Sequence, residues 1–211
     1  NVIAGVHHAD SGHIRLGGGG LGDLPDYRRA RRIGRVHQDP MAGTAAALTV
    51  ADNLALAATR GKRRRLHRPR GTAAWERELA QLKMGLDQRL GARVGALSGG
   101  QRQALSVLMA LQADPELLLL DEHTAALDPG AAARILEVTD RLVRERGITT
   151  LMVTHNMSQA LEFGDRTVFL HQGAALFELT GDERRRTTVA DLIDRFHTLA
   201  HDALSDRAVL G

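Results

Sequence analysis

Two stretches decide the fold: Leu97-Ser98-Gly99-Gly100-Gln101 (LSGGQ, 97–101) and LLLLDEHTAALDP at 117–129. In the second, four consecutive leucines form a short all-apolar run, as expected of a central parallel strand buried on both faces. Two acids, Asp121 and Glu122, follow it directly. At the C-terminal edge of a parallel sheet such carboxylates face the ligand crevice. One can hold Mg²⁺, usually through water. The next can polarise a water for attack on a phosphoryl group. Against this stands a plain solvated Asp-Glu at a strand end, which taken alone is about as good a reading. The first stretch places two glycines and a serine ahead of a long apolar helix, Gln101–Gln112. Free N–H groups at a helix N-terminus make an anion site. Taken alone, an ordinary N-cap at Ser98 explains it better.

The pattern extends outward from these stretches. Asp128-Pro129 opens a helix with Asp at the N-cap and Pro at N1, and Gly147 closes it after Arg146. Thr149–Thr154 reads as another buried strand, with His155 directly behind it, and Asn156–Phe163 as a short helix closed by Gly164. Thr167–His171 and Ala174–Glu178 flank Gln172-Gly173 as a hairpin, and Thr188–His197 reads as a terminal amphipathic helix. Upstream, residues 13–16 and Ile33–His37 read as strands, the latter leading to Gln38. Tyr27–Arg32 reads as a basic helical turn, Thr49–Thr59 as a helix capped by Thr49, and Thr72 to about Gly85 as a second helix. Alternating strands and helices predict an α/β fold with a parallel sheet. The helical middle, 46–110, is expected to be a subdomain inserted into a core of 1–45 and 111–211, with the hairpin as a small antiparallel element.

Composition narrows the classes. The chain has 211 residues, 43% of them hydrophobic and 25% charged. That suits one core with a small subdomain and excludes wholesale disorder. With no cysteine, disulfide scaffolds, thiolate metal sites and cysteine nucleophiles are excluded. No apolar run approaches the ~20 residues that cross a bilayer. The opening residues show no leader pattern, so a cytoplasmic home is expected. The pI of about 10.1 is driven by arginine, since Lys62 and Lys83 are the only lysines, and a net charge of +3 does not demand nucleic acid. Aromatics make up 3%, too few for stacking platforms on single strands.

Together the motifs resemble the nucleotide-binding domain of ATP-binding cassette (ABC) ATPases over nearly the whole chain. The resemblance places Gln38 in the Q-loop, Leu97–Gln101 in the family signature and Leu117–Glu122 in the Walker B strand. It places 124–128 in the D-loop and His155 at the H-switch. It implies a RecA-like P-loop NTPase core that binds ATP and Mg²⁺. Asp121 and Gln38 would act at the metal and Glu122 on the attacking water. His155 would meet the γ-phosphate. Ser98, Gly99, Gly100, Gln101 and Asp128 would meet nucleotide across a head-to-tail homodimer. Partners would be transmembrane permease subunits and a solute-binding protein of the same system, with this chain peripheral at the cytoplasmic face of the inner membrane and no nucleic acid expected. GRVHQDPMAGT (34–44), LTVADNLALA (48–57) and 117–129 are similar to ATPase subunits of bacterial importers for small solutes. Within these they are similar to a group paired with aromatic-amino-acid-type binding proteins.

Two departures stand out. His123 occupies the position where the family usually has proline. No G-x-x-x-x-G-K-[ST] loop occurs. Gly17, Gly19 and Gly22 formally make a G-x-G-x-x-G, but Asp23-Leu24-Pro25-Asp26 follows instead of an apolar helix, so a turn is expected there. Asn1–Gly5 matches the helix after the family's Walker A lysine, so the chain is expected to be cut just past that loop and, as it stands, to turn over no ATP. Rival readings are an ABC-class ATPase of DNA repair or translation, and a non-catalytic regulatory module. Only about sixty residues separate Gln38 from Leu97, without heptads, which disfavours the coiled-coil repair type. The basic run Arg60–Arg70 is first a solvated face, then a contact for the transporter or anionic lipid, and last a nucleic-acid site.

Overall fold

The structure, a computed structural model, describes residues 1–60 and 72–210. It divides into two compact units, Asn1–Val153 and Thr154–Gly211.

The first unit is built on a three-stranded parallel sheet of β3 (Ile33–Val36), β4 (Leu117–Asp121) and β5 (Thr149–Val153), in that order. Ile33 pairs with Leu117, and Asp121 with Val153. The four leucines of β4 divide between two cores, as alternation requires. Leu118 and Leu120 join the large core, while Leu117 and Leu119 join a smaller one with Leu21 and Ile33. The large core takes its other members chiefly from four helices: α2 (Val50–Thr59), α3 (Thr72–Ala80), α4 (Gly99–Leu111) and α5 (Pro129–Arg146). α4 lies so close to β3 that a Cβ on Gly34 would sit 2.7 Å from the Ala110 carbonyl.

Helix ends follow local chemistry. α2 starts at a capping box between Thr49 and Asp52, and α4 at one between Ser98 and Gln101. α5 has Asp128 at its N-cap, Pro129 at N1 and a left-handed Gly147 at its end. α3 stops at Ala80, short of the expected Gly85, because left-handed residues at Lys83 and Gly85 break the helix. The glycine stretch at 17–22 is only partly a turn. Gly17 and Gly18, both at positive φ, make a two-residue turn between β1 (Arg15–Leu16) and β2 (Gly19–Gly20). The short α1 (Asp26–Arg29) precedes β3.

β5 departs from the expectation of a buried strand. Its side chains alternate between the two faces, and Leu151 and Val153, on the Leu119 face where the small core does not reach them, are 45% and 49% exposed.

The second unit pairs β6 (Arg166–His171) with β7 (Ala174–Thr180), antiparallel, around the expected hairpin turn. It also holds α6 (Met157–Glu162), α7 (Gly181–Arg186) and α8 (Val189–Leu210). α8 runs past the expected end at His197, and α7 was not expected. Buried Arg184 binds Thr167 Oγ1 at 2.9 Å and the Phe163 carbonyl at 2.6 Å. Among the described residues no helix is long and apolar enough to cross a membrane. Of the basic run Arg60–Arg70, only Arg60 lies within the described residues.

Candidate functional site

The parallel register carries β3 and β4 to a common C-terminal edge, with Val36 level with Leu120. Asp121 ends β4 there, and Gln38, exposed, follows just beyond β3. Glu122 turns off the sheet with φ +44°, a left-handed conformation that costs a non-glycine residue roughly 1–2 kcal/mol. The bend is held because the Glu122 N–H donates to the Val153 carbonyl at 3.0 Å. Such stored strain concentrates at functional sites.

Behind it lies His123, 2% exposed, with Nε2 buried and unpartnered. Burial pushes its imidazole down to about 4, so it is neutral at pH 7. A proline at 123 would disfavour the α regions for residue 122. Histidine there is compatible with the Glu122 bend.

The signature residues meet the start of α5. An added Cβ on Gly99 would lie 3.7 Å from Leu127, and one on Gly100 only 3.2 Å from the Ala131 Cβ. Glycine at 100 therefore lets two helix N-termini approach, one capped by Ser98 and the other by Asp128. The Asp128 carboxylate accepts from the Ala131 N–H at 2.9 Å. Ser98 Oγ accepts from the Gln101 N–H at 3.2 Å. The Gln101 side chain is turned inward: Oε1 accepts from Ser98 N and from Arg89, and Nε2 donates to the Met84 carbonyl. It secures the signature turn. His155, exposed, belongs to the second unit and follows β5 by two residues in sequence.

Asp121 has a partner that the motifs do not announce. Arg35 Nη2 lies 3.3 Å from Asp121 Oδ2 and donates to Asn1 Oδ1 at 2.7 Å. Arg35 also lines a cavity of about 320 Å³ with His37, Asp39, Leu56, Arg60 and Met109. His37 is held below the ordinary imidazole range by desolvation and then by the Arg35 charge. No sequence signal marks Arg35: what brings it to Asp121 is the register of β3 on β4, which sets Arg35 opposite Leu119, two residues before Asp121 on the same face.

The donor set fits Mg²⁺ held partly by a bound ligand. Among the described residues no three His, Cys, Asp or Glu side chains gather to enclose a metal. A single carboxylate at a sheet edge suits an ion that keeps several waters and takes its other ligands from substrate phosphates.

The ABC transporter family model matches residues 1–125. A tyrosine transport ATP-binding protein of Clostridioides difficile is 42% identical over 93% of this chain and 79% of its own length. An Fe(3+) ions import ATP-binding protein of Pseudomonas fluorescens is 36% identical over 82% of this chain, which spans 47% of that protein. The sulfate/thiosulfate import ATP-binding protein of Escherichia coli is also 36% identical, and the chain spans 46% of it. Among solved structures, an ABC transporter cassette in its ADP conformation superposes with TM-score 0.75 at 22% identity, covering 93% of this chain and 80% of that one. A dimeric post-hydrolysis cassette bound to ADP and Pi superposes with TM-score 0.69 at 28% identity, covering 85% and 78%. With the parallel sheet, the acid pair at its edge and the signature turn in place, the chain belongs to the family of ATP-binding subunits of ABC transporters.

Proposed function

We propose that this chain is the ATPase part of a bacterial importer for a small solute, working as a homodimer against transmembrane permease subunits with a solute-binding protein outside. The observation that carries the reading is Glu122: a carboxylate held in a left-handed bend at the end of a buried parallel strand, next to Asp121. Bound Mg²⁺·ATP supplies a phosphoanhydride with its charge partly neutralised. Asp121 and Gln38 are the groups that hold the metal end. Glu122 orients water and takes its proton. His155 hydrogen-bonds the terminal phosphate. Ser98, Gly99 and Gly100 present N–H and hydroxyl donors to the nucleotide of the opposite subunit, with Gln101 bracing them and Asp128 at the seam.

The core would be 1–45 with 111–211, and 46–110 a helical subdomain. The 320 Å³ cavity, where the end of β3 meets α2 and α4, supports docking of a permease helix at the junction of the two. Docking there would place the subunit peripherally at the cytoplasmic face of the membrane. The tyrosine transport relative favours an aromatic amino acid as solute. The 211 residues contain no Walker A loop, so this stretch by itself turns over no ATP. In P-loop ATPases that loop supplies the lysine and most of the phosphate-cradling N–H groups.

The test is Glu122→Gln in the full-length protein. ATP should then hold a stable dimer on light scattering, with hydrolysis reduced at least a hundredfold. Normal turnover with no trapped dimer would reject the assignment.

A further inference from the structure

We propose that Arg35 is a built-in counter-ion of Asp121 that competes with Mg²⁺ for the carboxylate, setting how much metal the site needs. The inference rests on Asp121 being the metal carboxylate of the proposed function, and it goes further by assigning a role to a residue on the neighbouring strand.

Register makes the pairing a property of the sheet. Arg35 stands opposite Leu119, so Asp121, two residues on, projects from the same face. The guanidinium side chain is 21% exposed and the carboxylate 48%. A mostly enclosed cation therefore holds one side of a half-open anion, whose other side stays accessible. The contact is of a kind that can be given up. It is one hydrogen bond of 3.3 Å, whereas the bidentate pair of Arg32 with Glu116 in the same unit has bonds of 2.6 and 2.7 Å. The same Nη2 makes its shorter bond to Asn1 Oδ1.

The guanidinium also has somewhere to go. Its Nη2 already has a second acceptor, Asn1 Oδ1 at 2.7 Å, which it can keep when it leaves Asp121. A guanidinium and a divalent cation on one carboxylate repel each other, and partial enclosure weakens the screening between them. Arg35 must therefore turn away from Asp121 as the metal is taken up. The cost of that displacement raises the metal concentration required. Until then Arg35 compensates the Asp121 charge. In this arrangement Arg35 is a positioning residue that acts through Asp121.

The test titrates Mn²⁺, in place of Mg²⁺, into the ADP-loaded full-length protein. Bound metal is read from loss of the free Mn²⁺ EPR signal, with ADP alone as the blank. Arg35→Gln and Arg35→Ala should each tighten Mn²⁺ binding about tenfold, and Arg35→Lys should stay near wild type. In an Asp121→Asn background the Arg35→Gln gain should vanish. Unchanged or weaker Mn²⁺ binding in a folded Arg35→Gln protein, while Asp121→Asn still weakens it, would overturn the role of Arg35 alone. If Asp121→Asn leaves Mn²⁺ binding intact, the metal assignment fails and the inference fails with it.

Discussion

At the scale of single residues, side chains with chemistry are held by arrangements that cost stability, while neighbours supply it. Glu122 sits at φ +44° without glycine's freedom. Replacing it with glycine should relieve the bend and raise stability by about 0.5–1 kcal/mol, after allowing for glycine's greater chain entropy. Chemical denaturation would show this as a higher midpoint at unchanged slope. A lower midpoint would mean that the glutamate side chain stabilises the turn by more than the bend costs. Arg29 is the opposite case. It is 2% exposed and donates to the carbonyls of Val2, Ile3, Gly22 and Leu24 at 2.8–3.1 Å. Four carbonyls stand in for a carboxylate, drawing residues 2–3 and 22–24 onto α1. Arg29→Met would leave several of these acceptors buried and unpaired, and is expected to cost about 3 kcal/mol. The measurement is the same, and a change below 1 kcal/mol would show that water replaces the guanidinium.

At the scale of elements, what was legible in the sequence is what local chemistry decides. α5 was readable end to end because Asp128, Pro129 and Gly147 each enforce a backbone state without help from elsewhere. β4 was readable because an all-leucine run has no polar face to turn to solvent. β5 was misread as buried because Thr149–Val153 carries no information about its neighbours. That the small core stops short of Leu151 and Val153 is a tertiary fact, and it leaves both exposed. The site divides the same way. The positions of Asp121 and Glu122 at the end of β4, and of Ser98 at a helix N-cap, were legible from motif spacing. The Arg35–Asp121 pair was not, because it depends on register between strands 86 residues apart in sequence. Nor was the inward turn of Gln101, which depends on Met84 and Arg89. Gly34 illustrates the tertiary share. Its sequence neighbours say nothing special, yet a methyl there meets the Ala110 carbonyl at 2.7 Å and Leu118 at 3.1 Å. Gly34→Ala should push α4 off β3 and destabilise the first unit by about 2 kcal/mol, read from its denaturation midpoint. No loss of stability would mean that the helix shifts freely.

At the scale of the whole molecule, pH should act through histidine before it acts through carboxylates. His123 titrates at about 4 in the folded chain against 6.5 when free, and His37 is shifted in the same direction. Between those values the unfolded chain binds a proton that the folded chain refuses. Stability is therefore full above about pH 6.5 and falls as pH drops toward 4. For His123 alone the loss reaches about 3 kcal/mol. The carboxylates of Asp52, Asp191 and Glu116 are lowered by hydrogen bonds from Thr49, Thr188 and Arg32. Their stabilisation is present above the ordinary carboxylate range and disappears only at more acid pH, so the acid limb should have two stages. His123→Gln removes the first stage's main titrating group while keeping a polar side chain of similar reach. A plot of denaturation free energy against pH should therefore be nearly flat for this variant from 6.5 to 4.5, where the wild type slopes downward. Parallel slopes for the two proteins would show that His123 is protonated in the folded state, and that its buried Nε2 has found a partner.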